Sequence, residues 1–513
     1  MAMVAQIKTV SFQGLDVQTV DVQVLMTSGL PKVTIVGLPE RAVGESKERV
    51  RGALASLGLM QPPAHVSINL APADLAKEGT HFDLPIVLGL LVEMEVLAPD
   101  CLQGLLAMGE LGLDGSISPV VGALPAAIHA NRLGLSLICP EAQGQEAAWA
   151  GPELDIIAPR SLLALMKHLM GRQQIPRPKV RSSDQIERRP ALDLRDIKGQ
   201  ETAKRALEIT AAGGHNLLLI GPPGAGKSML AARLPGLLPP MTAEEALSVT
   251  MVHSLAGTLT EDGLVSSRPY RDPHHSASLP ALVGGGTKAK PGEVTLAHLG
   301  VLFLDELPEF DRRTLEALRQ PIETGAVTVS RANAHITYPA HFQFIAAMNP
   351  CRCGYLSDPG RACSRAPKCG QDYQARISGP LYDRVDLVLE VPAVAALDLG
   401  LAPSGDASVV VAERVLRARE LQARRFGQHE AQTLLDKPPV NASLEGDRLE
   451  DHCALEPDGR RLVAEAAEQL NLSARGYHRL LRVARTIADL DEQEMIQRLH
   501  IAEALSFRRL ALA

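Results

Sequence analysis

The chain has 513 residues, of which 46% are apolar and 22% charged, and its formal net charge is −7. This length predicts about three domains with well-buried cores, and the acidic balance excludes binding of nucleic acid through overall charge. No apolar stretch approaches the roughly 20 residues that span a bilayer. The N-terminus lacks a basic segment followed by an apolar signal core, and the seven cysteines do not form a secreted disulfide pattern. We therefore expect a cytoplasmic protein without a membrane partner.

The first predicted domain, residues 1–171, carries three segments with a recognisable order: Asn69–Pro85 (NLAPADLAKEGTHFDLP), Gly109–Ile117 (GELGLDGSI) and Ile138–Pro140 (ICP). This series resembles the protease domain of Lon proteins and implies an α+β domain. Proteolysis there needs a serine nucleophile and a lysine base. The corresponding segments here read EGTHFD (78–83) and VGALP (121–125), so neither a serine nor a lysine stands where the dyad requires it. Thr80 is the candidate substitute for the nucleophile, and the second segment offers no lysine base. We expect a scaffold domain without a catalytic dyad.

Residues 172–190 are predicted to form a linker, because six basic and two acidic residues are interspersed with Pro176, Pro178 and Pro190. This basic stretch is one candidate for local contact with DNA, with a solvated linker as the alternative. The other candidate lies near the C-terminus, in a helix-like stretch that bears Arg475, Arg479, Arg482 and Arg485.

A phosphate-binding loop follows the apolar stretch 216–220 and precedes a helix-like stretch. It consists of Gly221, Pro222, Pro223, Gly224, Ala225, Gly226, Lys227 and Ser228. In such a loop backbone N–H groups converge on a polyphosphate at a helix N-terminus. The lysine adds a charge at the β- and γ-phosphates, and the hydroxyl ligates Mg²⁺. The sequence therefore predicts an ATP and Mg²⁺ site that includes Lys227 and Ser228.

Downstream, the apolar run 301–304 (VLFL) ends in Asp305 and Glu306, a pattern typical of a buried parallel strand. Asp305 is the candidate for holding Mg²⁺, and Glu306 is the candidate for orienting and polarising water. The alternative is an ordinary buried strand that ends in a solvated acidic turn. Together with the loop, the pattern favours ATP hydrolysis driven by positioning and charge neutralisation.

A cysteine-rich loop, residues 351–369, contains Cys351, Cys353, Cys363 and Cys369. Four thiolates are able to close a tetrahedral zinc site that fixes a loop too polar to bury itself. Reduced thiols and a redox disulfide are the alternatives, because the first pair is spaced one residue shorter than in the usual knuckle. His274 and His275 are interpreted as structural or pore-loop residues rather than metal ligands. After residue 392 the apolar spacing becomes helical, which predicts a helical lid over 393–513.

The phosphate loop, the LDE strand end at 304–306, AAMNP at 346–350 and GPLYDRVDL at 379–387 occur in one order. Together they resemble the magnesium-chelatase-like AAA+ ATPases, and most closely the competence protein ComM (YifB-like) group, over essentially the whole chain. The resemblance implies an α/β fold: a P-loop ATPase core with a parallel sheet at 191–392, followed by the helical lid.

The resemblance also implies roles for single residues. Asn349 matches the polar residue between the acidic strand and the γ-phosphate, with a turn former before Pro350 as the alternative. Arg384 matches the finger presented to a neighbouring subunit's nucleotide, with a surface salt bridge to Asp383 or Asp386 as the alternative. Arg475 best fits the nucleotide-sensing position of the lid, and Arg479 is the competing choice.

In this family two inserted elements face the pore of a ring. The candidate phosphate contacts within them are Lys288, Lys290 and Arg331, with solvent-exposed charge as the alternative. The resemblance implies a hexameric homo-oligomer that couples ATP hydrolysis to sequence-independent movement on DNA. We expect helicase or branch-migration work in natural transformation and homologous recombination, with recombination proteins as partners. The alternatives are a magnesium-chelatase-type motor and a chaperone-like remodeller. Aromatic residues make up only 3% of the chain, which argues against a base-stacking platform.

Overall fold

The computed structural model describes residues 4–60, 63–179, 192–259, 263–286, 289–330, 335–356, 360–361, 363–393, 405–427 and 438–508. Contacts divide the chain into two compact units. The first contains Met1–Glu187, Ala246–Ser266 and Ser330–Thr337, and the second contains the remaining residues. Within the described residues, no helix combines the length and the apolar character needed to cross a bilayer.

A seven-stranded mixed sheet forms the first unit, in the order β3-β4-β2-β1-β5-β8-β9. Its strands are β1 (Ala5–Gln13), β2 (Asp16–Thr27), β3 (Lys32–Val36), β4 (His65–Ala71), β5 (Leu105–Ala107), β8 (Ser136–Ile138) and β9 (Ile156–Ile157), and a separate pair joins β6 (Glu110–Leu111) and β7 (Ile117–Ser118). Antiparallel pairing joins β1 to β2 and β2 to β4, and the other pairs in the large sheet are parallel. Alternating side chains of β2, including Val20, Val22 and Val24, are buried, as expected for a strand with one face on a core.

The helices of this unit are Arg41–Ser56, Asp83–Glu93, Ala123–Arg132, Gly144–Ala148 and Leu162–Leu169. Helix Asp83–Glu93 is apolar on all sides, and every residue from Asp83 to Val92 is buried. The buried Asp83 carboxylate is paired with Arg49, whose guanidinium approaches it at 2.5 and 3.0 Å. Helix Ala243–Ala256 contributes to the first unit from Ala246 onward, and Ser254 Oγ donates to Glu146 Oε1 at 2.5 Å.

A five-stranded parallel sheet forms the centre of the second unit, in the order β11-β14-β17-β10-β18. These strands are β10 (Leu217–Ile220), β11 (Tyr270–Arg271), β14 (Val301–Leu304), β17 (Gln343–Met348) and β18 (Leu387–Glu390); short pairs join β12 (Gly284–Gly285) to β13 (Lys290–Pro291) and β15 (Ala326–Ser330) to β16 (His335–Pro339). Strand β17 lies between β10 and β14, although it follows both of them in the chain. The residues after these three strands therefore meet at one edge of the sheet.

Helices cover both faces of this sheet, which explains why its strands are continuous apolar runs. They are Glu201–Gly213, Lys227–Ala231, Leu279–Val283, Glu293–Leu296, Arg312–Ala317, Arg319–Thr324, Lys368–Gln374, Gly379–Tyr382, Ser408–Phe426, Asp447–His452, Pro457–Gln469, Ala474–Leu490 and Arg498–Ser506. One core contains Leu217, Phe303 and Ile345 together with Leu480 and Ile487 of the C-terminal helices. The predicted lid therefore packs into the same compact unit as the sheet.

The predicted α/β fold class, with a parallel sheet at its centre, is confirmed. The predicted boundaries at 171, 190 and 392 stay predictions. Residues 180–190 of the predicted linker lie outside the described residues.

The C-terminal basic stretch does not form the continuous charged surface considered above. Arg485 is 1% exposed and donates from Nε to Asp489 Oδ1 at 3.0 Å, and Arg479 is also buried. Asp489 is shared with Arg425 and Asn441. Arg479 and Arg485 therefore bind partners inside the protein. The apolar periodicity of the sequence does not indicate such pairing.

Candidate nucleotide-binding site

The phosphate loop runs from the carboxyl end of β10 into the short helix Lys227–Ala231. Gly226 precedes this helix with φ at +85°, a left-handed conformation that favours glycine. Gly221 N donates to Met348 O at 3.1 Å, which ties the start of the loop to β17. The predicted loop, residues 221–228, thus forms a turn between strand and helix, at the sheet edge where a phosphate-binding loop is expected.

Lys227 extends back along the loop rather than into solvent. Its Nζ donates to Gly221 O at 2.8 Å, to Pro222 O at 3.0 Å and to Asn349 Oδ1 at 3.2 Å. Burial lowers the pKa of Lys227, and the negative charges of Asp305 and Glu306 act in the opposite direction. The ammonium group is therefore held by three oxygen acceptors that orient it without neutralising it.

Ser228 and Asp305 form the second contact of the site. Ser228 Oγ donates to Asp305 Oδ2 at 2.6 Å, across 77 residues of sequence. A hydroxyl and a carboxylate oxygen at this separation are hard ligands of the kind that Mg²⁺ takes from protein. With Lys227 beside them, these residues fit a phosphate-bound Mg²⁺ ion.

Asn349 directly follows β17 and lies between the two acidic-strand residues and the loop, as the strand order requires. Its Oδ1 accepts from Lys227, so its side chain faces the phosphate site and does not serve only as a turn former before Pro350. The sequence predicted that Asn349 lies at a strand end. It did not predict the contact with Lys227, because that contact depends on the order of the strands in the sheet.

Glu306 follows Asp305 in the left-handed conformation, with φ at +51°. Its Oε2 lies 3.3 Å from His275 Nδ1, and its backbone N–H donates to Asp305 Oδ1 at 2.8 Å. Sequence reasoning did not assign His275 to this site. No local pattern indicates this contact, because it depends on the parallel pairing of β11 with β14, which brings the residues after β11 to the same edge.

Asp272 is a second residue of this edge that sequence reasoning missed. Burial raises the pKa of its carboxyl group, and the charge of Asp305 raises it further. The two carboxylates therefore share one electrostatic environment. An added cation would relieve their repulsion, as expected of a divalent metal site.

Arg384 lies at the opposite edge of the sheet. Asn216, which precedes β10, donates from Nδ2 to Arg384 O at 2.9 Å, and the four residues of β10 separate this edge from the loop by about 13 Å. The guanidinium of Arg384 pairs with Glu323. The arginine therefore does form a salt bridge, with Glu323 rather than with Asp383 or Asp386; Asp386 accepts from Asn216 N, and Asp383 accepts from Arg479. The role of Arg384 toward a neighbouring subunit stays a prediction.

Arg384 belongs to a cavity of about 360 Å³ at the amino ends of the strands. The cavity is lined by six arginines, Arg268, Arg384, Arg419, Arg475, Arg479 and Arg482, and by five acidic residues, Glu245, Glu323, Asp383, Asp386 and Glu445. Burial lowers the pKa of Arg419, and the charge of Arg268 lowers it further, whereas Glu245 raises it. Three of the arginines, Arg268, Arg384 and Arg479, are each paired with one of these carboxylates.

Arg475 and Arg479 both line this cavity and differ in exposure. Arg479 is buried and donates to Val385 O at 2.9 Å, whereas Arg475 is exposed. Helical spacing alone did not separate the two residues. Neither of them is brought to the edge that carries Lys227.

The remaining candidates are spread over both units. Lys290 is exposed in β13, which pairs with β12, and Lys288 and Arg331 lie outside the described residues.

In the first unit Lys77 is buried and donates to the carbonyl oxygen of Pro72. The predicted lack of a protease dyad near Thr80 stays a prediction.

The sulfur atoms of Cys351, Cys353 and Cys369 all lie within 4.8 Å of one another. They follow Asn349 directly, so the cysteine-rich loop begins at the nucleotide edge of the sheet.

Three family models match the chain. They are described as magnesium chelatase, subunit ChlI (residues 193–399), subunit ChlI of Mg-chelatase (22–143) and magnesium chelatase, subunit ChlI C-terminal (405–508). The chain is 45% identical to YifB of Salmonella typhimurium, over 96% of this chain and 95% of that protein. It is 43% identical to competence protein ComM of Haemophilus influenzae over the same shares. The chain is 30% identical to the magnesium-chelatase 38 kDa subunit of Rhodobacter capsulatus, over 32% of this chain and 51% of that subunit.

Proposed function

The chain belongs to the ComM- and YifB-containing branch of the magnesium-chelatase-like AAA+ family, and on that premise we propose that it is a Mg²⁺-dependent ATPase that drives a ring-shaped motor on DNA. The observation that carries the ATPase assignment is the convergence at one sheet edge of Lys227, Ser228, Asp305, Glu306 and Asn349. These groups provide a phosphate-facing cation, two oxygen ligands and two polar groups near the γ-phosphate position.

In this proposal Lys227 offsets charge on the β- and γ-phosphates, and its carbonyl partners keep the ammonium group in place. Ser228 and Asp305 hold Mg²⁺, which supplies further neutralisation of phosphate charge. Glu306 orients and polarises the attacking water, and His275 fixes the Glu306 carboxylate at 3.3 Å. Asn349 contacts the γ-phosphate from the adjacent strand. Catalysis therefore depends on groups positioned before the reaction begins.

The position of Arg384 supports the proposed ring. About 13 Å of strand separates this arginine from its own phosphate loop, so it serves a nucleotide bound by a neighbouring subunit. Its carboxylate partner Glu323 is exposed enough to be replaced by a phosphate group. Arg475, exposed in the same cavity, is the nucleotide-sensing candidate that remains available to such a ligand. We propose a hexamer.

The DNA assignment rests on the relative named competence protein ComM, with which this chain shares 43% identity. We propose helicase or branch-migration activity in natural transformation and homologous recombination, in the cytoplasm and together with recombination proteins. With a net charge of −7, the grip on DNA comes from local cations such as Lys288, Lys290 and Arg331. It weakens steeply with added salt and is indifferent to sequence.

The deciding experiment measures displacement of a labelled strand from forked and three-stranded DNA. Purified protein is tested with ATP, with a nonhydrolysable analogue and as the Lys227→Ala variant. Lys32→Ala, at an exposed position of β3 in the first unit, is the matched control. We expect displacement only with ATP, equal in wild type and Lys32→Ala, and absent in Lys227→Ala. ATPase activity that is indifferent to DNA, without displacement, would contradict the DNA motor.

A magnesium-chelatase-type or chaperone-like remodeller is the second candidate, favoured by three matching family models that are named for the chelatase subunit. Stimulation of ATP hydrolysis separates the two functions. A DNA motor is stimulated by DNA, and a metal-insertion motor is stimulated by a porphyrin-binding partner.

A further inference from the structure

Four cysteines of the loop 351–369 converge although 18 positions separate the first from the last. Cys351 Sγ lies 3.0 Å from Cys353 Sγ, and Cys369 completes a group of three whose sulfurs are mutually within 4.8 Å. Cys363 lies close enough to Cys353 and Cys369 to lower the pKa of the first thiol and to raise the pKa of the second. Three sulfur donors therefore meet at one point, and the fourth cysteine of the loop is their neighbour.

This donor set matches zinc. Four thiolates hold Zn²⁺ as a tetrahedron with Zn–S bonds of about 2.3 Å, which sets neighbouring sulfurs about 3.8 Å apart. The separations here bracket that value, so small side-chain rotations suffice to close the site. The pair at 3.0 Å is also well beyond the roughly 2.05 Å of a disulfide bond. Thiolates select soft or borderline metals over Mg²⁺, so this site is distinct from the one at Ser228 and Asp305.

The sulfurs come from both ends of the loop. Cys351 is fully buried just after β17, whereas Cys369 lies in helix Lys368–Gln374. From the same helix Gln374 Nε2 donates to Pro350 O at 3.0 Å. One metal ion at the four sulfurs therefore fastens the helix to the strand end that carries Asn349.

The loop also touches the phosphate loop. Gly354 has φ at +84°, and a Cβ built there would lie 2.5 Å from Pro223 Cδ, so only glycine permits this close approach. Pro223 is within the phosphate loop. The cysteine loop is thus a wall of the nucleotide site.

We propose that Cys351, Cys353, Cys363 and Cys369 bind one structural Zn²⁺ ion, which fixes the cysteine loop against the phosphate loop and positions Asn349. Four protein ligands leave the ion no open position for water, so its role is structural. Metal binding stands on the sulfur geometry alone, and the effect on Asn349 rests on the proposed ATPase function.

The first test is metal content of the full chain, purified without chelators and measured by mass spectrometry of the metals. We expect about one Zn²⁺ per chain in wild type and in Cys101→Ser, a half-buried cysteine of the first unit that serves as control. Cys363→Ser and Cys369→Ser, which change partly exposed thiols, lose the zinc. The zinc proposal would be refuted by iron in place of zinc, or by a chain that stays metal-free after incubation with Zn²⁺.

The second test separates positioning from general loss of structure. Nucleotide affinity and kcat are measured on Cys363→Ser after its circular dichroism and hydrogen exchange have been matched to wild type in the first unit. We expect kcat to fall about tenfold or more, as for groups displaced by up to an ångström, with nucleotide affinity nearly unchanged. Zinc loss with unchanged kcat would refute the positioning role. A wild-type chain that holds zinc but hydrolyses no ATP would refute the ATPase and leave the metal site standing.

Discussion

Lys227 Nζ lies 3.2 Å from Asn349 Oδ1, and the two residues are 122 positions apart in the chain. The contact exists because β17 is inserted between β10 and β14, so the polar residue after β17 reaches the lysine of the phosphate loop. Because the two side chains differ in charge, we expect removal of each to impair a different property. Removal of Lys227 should impair nucleotide binding, and removal of Asn349 should impair hydrolysis.

Lys227→Ala removes the only cation among the groups that the phosphate loop contributes, so we expect nucleotide binding to be lost. Asn349→Ala keeps that cation and removes a neutral group near the γ-phosphate, so we expect ATP to bind while kcat falls about 100-fold. Binding of a fluorescent ATP analogue and steady-state hydrolysis measure the two effects. Equal loss of binding in both variants would contradict these roles.

Glu306→Gln is expected to leave ATP bound and to block hydrolysis, because the amide keeps the shape of the carboxylate and cannot polarise water. In the proposed ring this variant stays trapped on DNA. Filter binding of labelled DNA with ATP measures the trap. Glu309→Gln, three residues along the chain, is the matched control and should hydrolyse ATP at the wild-type rate. A Glu306→Gln ring that turns over ATP normally would remove Glu306 from the site.

Arg384→Ala is expected to abolish hydrolysis without weakening nucleotide binding, because in the proposed ring the arginine acts on the nucleotide of the neighbouring subunit. Mixing Arg384→Ala with Lys227→Ala chains tests this arrangement directly. Some mixed interfaces then combine an intact phosphate loop with an intact Arg384, so activity should return above that of either variant alone. Mixtures that stay inactive although hexamers form would contradict action between subunits.

Arg49→Ala is expected to destabilise the first unit by about 3–5 kcal/mol, since it leaves the fully buried carboxylate of Asp83 without its ion-pair partner. Arg41→Ala breaks an exposed pair with Glu45 in the same helix and should change the free energy of unfolding by less than about 0.5 kcal/mol. Hydrogen exchange of the amides in β1 and β2 reports this free energy within the full chain. Equal effects of the two variants would show that the buried pair contributes nothing beyond a surface pair.

Acid is expected to destabilise the first unit through His81. Burial lowers the pKa of His81 from 6.5 to about 4, so the unfolded chain binds the additional proton between those two values. Stability is complete above pH 6.5 and falls as the pH drops toward 4, by up to about 3 kcal/mol. His81→Gln keeps a donor near Val10 O and does not titrate, so its stability should vary less with pH across this window. Hydrogen exchange of β1 at pH 6.5 and 4.5 measures the difference.

The sequence predicted the parts of the candidate site better than their arrangement. The apolar run before Gly221 and the one before Asp305 identify buried strands, because both faces of a parallel sheet are covered. The order of those strands is a long-range property, and hydrophobic periodicity does not encode it. The contacts of Asn349 with Lys227 and of His275 with Glu306 were for that reason visible only in the fold.

Charged side chains were the least predictable from local pattern. Arg384 pairs with Glu323, 61 residues away, rather than with either neighbouring aspartate. Arg485 is buried on a helix face where the spacing of charge suggested exposure. Local sequence reports which residues are ionisable, and tertiary packing decides which partner each one finds.

Strand β17 has one more consequence. Gln343 at its start lines the arginine cavity, Asn349 follows its end, and all six of its residues are buried. A fully packed strand of about 20 Å is stiff along its axis. A displacement of one end is therefore transmitted to the other end. In the proposed ring, β17 would act as a connecting rod between the phosphate bound in one subunit and the arginines facing its neighbour.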